Sequence, residues 1–274
     1  MIRLLQIELQ KLLLNRTSKI LIFISFILPL CVIVLSAIKI NFFGFFTLEL
    51  GELGIFNFPI VWHINTYFSA LFKFFFAIVV VSMIGNEYSN KTLKQNLIDG
   101  MSKKEFILSK FYTILFFSLI SSLIIFIISL ILGFVYSSYN EWSIIMRGIE
   151  FIPAYFFKLV GFFAFCLFLS VLAKRSAFAL AFLFIDFILE WILFGIIAWK
   201  SNVDMAEKVQ SFLPLTSMSN LIKQPFQRIA MSKFPEKNSL DYDYAVHFDA
   251  TLIVILWTAI FIYSAYYLLK KRDL

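Results

Sequence analysis

Residues 87–110 of this chain read EYSNKTLKQNLIDGMSKKEFILSK, a polar and lysine-rich segment between two long apolar runs. A charged side chain in the hydrocarbon layer of a membrane costs several kcal/mol, so this segment has to face water. The apolar runs on either side of it are each long enough to cross a bilayer. This alternation predicts a chain that crosses a membrane more than once.

The overall composition supports a membrane protein. Of the 274 residues, 61% are hydrophobic and only 15% are charged. A soluble domain is nearer half apolar and a quarter charged, so the apolar excess indicates burial against lipid. The formal net charge of +7 would suit nucleic acid, but the basic residues cluster beside the apolar runs, where topology signals and lipid contacts are expected. We therefore expect membrane lipids and no nucleic acid as partners.

Six apolar runs predict six transmembrane helices in one domain over residues 1–274, an all-α polytopic membrane protein. Their predicted bounds are about 20–38, 60–85, 111–135, 153–173, 176–199 and 250–269. The fourth run is short between Lys158 and Lys174, so we expect its helix to begin near Pro153. Lys158 is then expected to extend its ammonium towards the membrane interface.

The segments outside these spans have their own patterns. In residues 1–18, Ile2, Leu5, Leu9 and Leu12 share one helix face, which predicts an amphipathic helix in the membrane interface. A cytosolic extension of the first span is the alternative, although residues 15–18 resemble a new helix start. Residues 200–249 form either short helices that dip towards the membrane or a plain loop, and the pattern leaves both open.

Basic residues predict the orientation. With both termini in the cytoplasm, fourteen Lys and Arg residues lie inside and three lie in the two shorter outer segments. The positive-inside rule therefore favours a multi-pass protein of the cytoplasmic (inner) membrane, with N-terminus and C-terminus inside. Residues 87–110 are then cytoplasmic. No cleavable signal peptide is predicted, because the first apolar run lacks a small-residue cleavage pattern.

Three ionisable residues lie within the predicted spans. Lys73 lies ~20 Å from the inner end of its span at 1.5 Å per residue, and Asp186 and Glu190 lie ~17 and ~23 Å from the inner end of theirs. The two carboxylates are four residues apart and share one helix face. We therefore expect Lys73 to pair with one or both of them in an intramembrane polar cluster. Its role is either to fix the packing of the helices or to contact a charged substrate group.

Residues of the catalytic and metal-binding types do not form recognisable motifs. Cys31 and Cys166 lie in separate apolar runs and are read as buried apolar residues. His63 and His247 have no ligand spacing and are read as residues of the membrane boundary, so we predict no metal site and no catalytic residue. The chain also lacks the glycine-rich motif of a phosphate-binding loop, so we do not expect it to hydrolyse ATP.

The opening segment resembles a known family. Its pattern matches the first cytoplasmic loop of six-helix permeases of ATP-binding-cassette exporters, the type V or polysaccharide and drug exporter class, at these residues: Glu87, Thr92, Leu93, Leu97, Gly100, Ser102, Lys103 and Lys110. Residues 172–176 resemble the second cytoplasmic turn of that family, and residues 213–215 lie where it places short outer helices. One difference is Lys91, where many members have glycine.

The resemblance implies a coupling role for this loop. It implies a helix over 87–99, a turn over 100–102 and a lead into the third span over 103–110, with the residues Glu87, Thr92, Leu93, Leu97, Gly100, Met101, Ser102 and Lys103 contacting an ATPase. Leu93, Leu97, Ile98 and Met101 form the apolar stripe that a partner groove would bury.

The resemblance also implies partners. These are two copies of a separate ATPase that holds ATP and Mg²⁺, a second permease chain that is identical or similar, and an extracytoplasmic or accessory protein. The chain itself would need no cofactor and would not be an enzyme. One alternative is a permease that transmits force to an outer partner without moving a solute. The weaker alternative is a membrane-embedded hydrolase.

Overall fold

The computed structural model describes residues 2–37, 40–42, 46–48, 54–137, 141–226 and 243–272. Within these ranges the regular secondary structure is helical apart from one short hairpin, in which β1 (Ile40–Phe42) pairs antiparallel with β2 (Phe46–Leu48). The all-α fold class is therefore confirmed. In chain order the helices are α1 (Ile2–Leu14), α2 (Arg16–Ala37), α3 (Ile60–Leu71), α4 (Lys73–Ser89), α5 (Thr92–Ile98), α6 (Lys103–Tyr136), α7 (Trp142–Ile145), α8 (Phe151–Ala173), α9 (Ser176–Lys200), α10 (Val203–Ser211), α11 (Pro214–Asn220) and α12 (Phe248–Lys271).

Five of these helices are long and apolar enough to cross a membrane. They are α2, α6, α8, α9 and α12. A sixth crossing is formed if α3 and α4 are taken together, because they meet at a 45° bend at Phe72. The second apolar run is thus a broken helix rather than the continuous one that its hydropathy predicts. Broken helices are tolerated at membrane depth where neighbouring helices cover the freed backbone groups.

α8 is the centre of the bundle. Its sequence is apolar on all sides, and it contacts α3, α4, α6, α9, α11 and α12. Gly161 lets α12 approach closely, since a Cβ at this position would lie 2.9 Å from Cγ1 of Val254. A helix that is apolar all round is stable only when other helices or lipid surround it.

α9 has the opposite environment. Large apolar side chains cover its outer surface and remain exposed, including Phe184, Phe187 and Trp191. Such a surface on a soluble protein would be an aggregation site, so its natural surroundings are lipid or another membrane subunit. The chain is an integral membrane protein.

α1 packs against α2 and α6. It ends at Leu14, and the Asn15 side chain accepts hydrogen bonds from the backbone N–H groups of Thr17 (3.0 Å) and Ser18 (3.3 Å). This helix cap makes a break between α1 and α2, as the polar residues 15–18 predict. Glu8 and Leu12 are on the buried face of α1.

The segment after α9 contains short helices. α10 follows α9 directly and packs against it, and α11 lies between α8, α9 and α12. Of the two alternatives left open for residues 200–249, the structure shows short helices at 203–211 and 214–220. Residues 227–242, which the same prediction includes, lie outside the described residues.

Candidate functional site

The polar segment 87–110 forms a compact turn between α4 and α6. α4 continues to Ser89, and α5 begins at Thr92 after Lys91, which has φ +57°. Gly100 has φ +98°, and the N–H of Met101 donates to the Asn96 carbonyl oxygen at 3.0 Å. The expected single helix over 87–99 is wrong, because the left-handed residue Lys91 divides it into the end of α4 and a separate α5.

The start of α6 is also fixed locally. The Ser102 hydroxyl accepts a hydrogen bond from the Glu105 N–H at 3.1 Å, and the Glu105 carboxylate accepts from the Ser102 N–H at 2.8 Å. This reciprocal pair is a capping box. Residues 103–110, the predicted lead into the third span, are therefore the first two turns of α6.

Four charged side chains meet behind α5 and are called here the ionic cluster: Glu8, Lys11, Glu87 and Lys110. The Lys110 ammonium donates to both Glu8 and Glu87, and Lys11 donates to Glu87 at 3.2 Å and to Glu8 at 3.4 Å. Glu8, Glu87 and Lys110 are almost fully buried. Two acids and two lysines balance, so the cluster is neutral as a group. It joins α1, α4 and α6.

The ionic cluster also holds α5. The Asn96 side chain amide donates to the second carboxylate oxygen of Glu87 at 3.1 Å. A cavity of about 360 Å³ lies beside it, lined mainly by residues of α1, α4 and α5 together with Asn15, Ser18 and Lys110. α5 is therefore fixed to the bundle through a charged group, which is a stronger hydrogen-bond partner than a neutral one.

Lys11 is the most exposed member of the ionic cluster. Burial lowers the pKa of Lys11, but the carboxylates of Glu8 and Glu87 more than offset this, so its pKa is raised above 10.5. A raised lysine pKa contributes stability that is fully present below pH 10.5 and is lost as the pH rises through the folded-state value. The contribution of Lys11 is thus constant over the physiological range.

The predicted coupling residues divide into buried and exposed groups. Glu87 is 5% exposed and Leu93 is 2% exposed, while Leu97 and Met101 pack against the hydrophobic core. Ile98, in contrast, is 75% exposed. The apolar stripe predicted for a partner is therefore mostly an internal contact of α5, and Ile98 alone of its four members projects.

The remaining residues of the prediction have structural contacts. Thr92 is the first residue of α5, Gly100 allows the left-handed turn, and Ser102 caps α6. The Lys103 ammonium donates to the carbonyl oxygens of Arg272 (2.8 Å) and Lys270 (3.3 Å) at the end of α12. Arg272 in turn donates to the carbonyl oxygens of Val171 and Leu172 at the end of α8. The segment 87–110 thus includes the end of α4 and the start of α6 and is linked by hydrogen bonds to α12 and, through Arg272, to α8.

The second predicted site, within the membrane, has a different geometry from the one expected. The Lys73 ammonium lies 4.2 Å from the centre of the Phe162 ring. Over the ranges that the structure describes, it forms no ion pair with Asp186 or Glu190, so the expected pairing is wrong. Lys73 and Glu190 do line one cavity of about 590 Å³, which Asp186 does not reach.

Glu190 has partners that the sequence pattern did not indicate. Its carboxylate accepts hydrogen bonds from the N–H groups of Leu215 (2.8 Å) and Thr216 (2.9 Å) and from the Thr216 hydroxyl (2.7 Å). These groups are at the start of α11, where a helix leaves its N–H groups unpaired and attracts negative charge. A carboxylate with three such donors needs no lysine partner.

Lys158 binds the other end of the same short helix. Its ammonium donates to the carbonyl oxygens of Ser219 (3.1 Å) and Ile222 (3.5 Å), and its side chain is buried. The ammonium that was expected to extend towards the membrane interface is therefore bound by α11 inside the protein. α11 is held by an acid at its N-terminal end and a base at its C-terminal end, which is the favourable arrangement for its dipole.

The histidines also have structural contacts. His63 is buried, stacks on Phe151 at 4.3 Å and hydrogen-bonds the Lys223 carbonyl oxygen at 2.7 Å. His247 pairs with Asp243 at 2.9 Å on the surface. In the part of the chain that the structure describes, no three His, Cys, Asp or Glu side chains are grouped so as to hold a metal ion.

Comparison with known proteins agrees with this architecture. A family model described as ABC-2 family transporter protein matches residues 5–274, which is nearly the whole chain from α1 to α12. No curated protein matches the sequence. The resemblance in the segment 87–110 is confirmed at the level of the family, and the chain belongs to the ABC-2 transporter family.

Proposed function

We propose that this chain is the transmembrane permease subunit of an ABC exporter and that α5 is its contact with a separate ATPase. Family membership supports a permease subunit. The finer assignment depends on one observation, the ionic cluster behind α5. A helix of seven residues is too short to be stable alone, so its position has to come from contacts with the bundle.

The ionic cluster would let α5 transmit force. Glu87 is on α4, Lys110 is on α6, and Glu8 is on α1, so displacement of α5 acts on three elements at once. A buried charge cannot leave its partner without a large desolvation cost, so these elements should move together. Closure of the ATPases on ATP would then shift the α4 and α6 helices relative to the rest of the bundle.

The proposed assembly contains two ATPase chains, which hold ATP and Mg²⁺, and two permease chains. The exposed apolar surface of α9 is available for a second permease or for lipid. The positive-inside pattern favours α5 on the cytoplasmic side of the inner membrane and α10 and α11 on its outer side, and we propose that the cell is bacterial. Transport requires that ATP binding favours one of two arrangements of this assembly over the other.

Ile98 provides the test. Ile98→Glu places a charge on the projecting surface of α5 without removing a core contact, so we expect the ATPase encoded with this chain to be lost on copurification. The matched control is Val203→Glu, because Val203 on α10 is also exposed and lies far from α5 in the chain. Copurified ATPase is measured by its hydrolytic activity per mole of permease.

Two results would contradict the proposal. One is full retention of the ATPase by Ile98→Glu, and the other is equal loss from both variants. Leu97 and Met101 are poorer positions for this test, since a charge there would also disturb the core. The alternatives are a permease that moves no solute but transmits force to an outer partner, and, with less support, a hydrolase. A force-transmitting permease would retain the same ATPase contact, whereas a hydrolase would not require it.

A further inference from the structure

The cavity of about 590 Å³ beside Lys73 has an unusual charge balance. Three charged side chains line it, namely Lys73, Lys158 and Glu190. Glu190 accepts hydrogen bonds from the N–H groups at the start of α11, and Lys158 donates to carbonyl oxygens at the end of α11. Lys73 is left as the charged group whose ammonium contacts an aromatic ring and, among the described residues, no carboxylate.

The contact with the ring only partly compensates the Lys73 ammonium for its loss of hydration. A cation–π contact with Phe162 contributes about 0.5–2 kcal/mol, whereas transfer of a charge away from water costs considerably more. Glu190 and Lys158 both bind the backbone at the ends of α11, so Lys73 is the ionisable side chain of the lining that has no polar partner among the described residues. A ligand with a single negative charge could pair with the Lys73 ammonium.

The rest of the cavity is suited to an apolar body. Aromatic side chains of α3, α4, α8 and α9 line it, including Phe74, Phe187 and Trp191. These three side chains are also exposed on the outer surface of the bundle. The cavity is therefore open sideways between α4 and α9, and its volume is in the range of small-molecule sites.

We propose that this cavity binds an anionic amphiphile, with its acidic group on Lys73 and its apolar body against the aromatic side chains of α4 and α9. Naming the amphiphile as cargo rests on the proposed transport function, but its binding does not. α11 closes one side of the cavity through Leu215, Thr216 and Ser219. The hydrogen bonds of Glu190 and Lys158 hold that side in place.

The probe is 11-bromoundecanoate at pH 8, compared with its neutral methyl ester at the same mole fraction in phosphatidylcholine nanodiscs that contain the full chain. Bromine quenches tryptophan fluorescence at short range, and Trp191 lines the cavity. The signal of Trp191 is the part that disappears in Trp191→Phe. We expect the anion to quench Trp191 at a concentration at least about tenfold lower than the ester, as a charge-assisted hydrogen bond implies.

Lys73 variants identify the group responsible. Lys73→Gln should remove the preference for the anion, and Lys73→Arg should retain it. The matched control is Lys104→Gln, because Lys104 lines a second cavity of about 590 Å³ between α6, α8 and α12 and is exposed there. This control should keep the preference of the unchanged chain.

Three outcomes would overturn the inference. They are equal quenching by anion and ester, an undiminished preference in Lys73→Gln, and no quenching of Trp191 by either probe, which would indicate that a second copy of the chain covers the cavity. The assay contains no ATPase, so its result is separate from the copurification test on Ile98. If one of these two tests contradicts its proposal, the other proposal is unaffected.

Discussion

At the scale of the residue, two lysines of this chain have opposite surroundings. The Lys110 ammonium is buried between the carboxylates of Glu8 and Glu87, and the Lys73 ammonium faces the Phe162 ring. Removing one partner of a buried ion pair leaves an uncompensated charge, whereas removing an unpaired charge leaves nothing uncompensated. The same substitution at the two positions should therefore have very different effects.

We predict that Lys110→Met lowers the free energy of unfolding by about 3–5 kcal/mol. Lys73→Met is the matched control and should be neutral or stabilising. Thermal or denaturant unfolding of the purified variants in detergent measures both. Adding Glu8→Gln to Lys110→Met should cost less than the sum of the two single changes, because the two side chains interact. Equal stability of the two methionine variants would contradict the ionic cluster.

The ionic cluster shows what the sequence can and cannot predict about the site. Glu8 is three residues from Leu5 and four from Leu12, on the face that packs against the bundle, and a charge on such a face indicates a buried partner. The identity of that partner depends on tertiary packing, since Lys110 is 102 positions away. Depth along a helix placed Lys73 near Glu190 but carried no information about α11, which supplies the donors that Glu190 binds.

Lys91 is the position at which this sequence differs from the family pattern that residues 87–110 resemble. It precedes α5 with φ +57°, in the left-handed region where glycine has no steric cost and other residues pay about 1–2 kcal/mol. Glycine is therefore the residue that this conformation favours. In this chain the left-handed turn is made with lysine.

At the scale of the element, α4 and α9 approach closely at one glycine. A Cβ at Gly85 would lie 2.9 Å from the backbone nitrogen of Ser176, the first residue of α9. Backbone atoms cannot move aside as a flexible side chain can. This contact fixes the end of α4 that leads into α5 against the start of α9.

We predict that Gly85→Ala destabilises the chain by about 1–3 kcal/mol, the usual cost of overpacking. Gly195→Ala is the matched control on α9, where an added Cβ meets no atom within 4 Å, and it should be neutral or stabilising by up to about 1 kcal/mol. The midpoint of thermal unfolding in detergent measures the difference. A Gly85→Ala variant as stable as Gly195→Ala would show that α4 and α9 do not approach this closely.

Helix type and position follow from the sequence more readily than helix breaks. A long apolar run in lipid forms a helix, because every backbone polar group has to be hydrogen-bonded within the segment. The breaks at Phe72 and Lys91 occur without proline or glycine, so no local signal marks them. They result from the packing of the flanking helices, and the hydropathy of the sequence carries no information about that packing.

At the scale of the whole molecule, the distribution of basic residues predicts which side of the membrane each end of the bundle faces. α5 should be cytoplasmic and α10 should be outside. The two elements offer exposed apolar positions for labelling, Ile98 on α5 and Val203 on α10. Cys31 is exposed and Cys166 is buried, so Cys31→Ser gives a background with little reactivity.

We predict that in this background Val203→Cys reacts with a membrane-impermeant maleimide in intact spheroplasts. Ile98→Cys should react only after the membrane is permeabilised. The extent of labelling is measured on the purified chain by mass. The opposite pattern would reverse the orientation, and labelling of both residues in intact spheroplasts would place them on the same side.

The length of α6 has a mechanical consequence for the whole chain. Its apolar part, residues 111–135, would be about 37 Å long as an α-helix, which exceeds the ~30 Å hydrocarbon thickness of a typical bilayer. A helix with this mismatch tilts or thickens the lipid around it. Because Lys110 is the residue just before this apolar part and pairs with Glu8 and Glu87, we expect a change in bilayer thickness that alters the tilt of α6 to move the side chains that hold α5 as well.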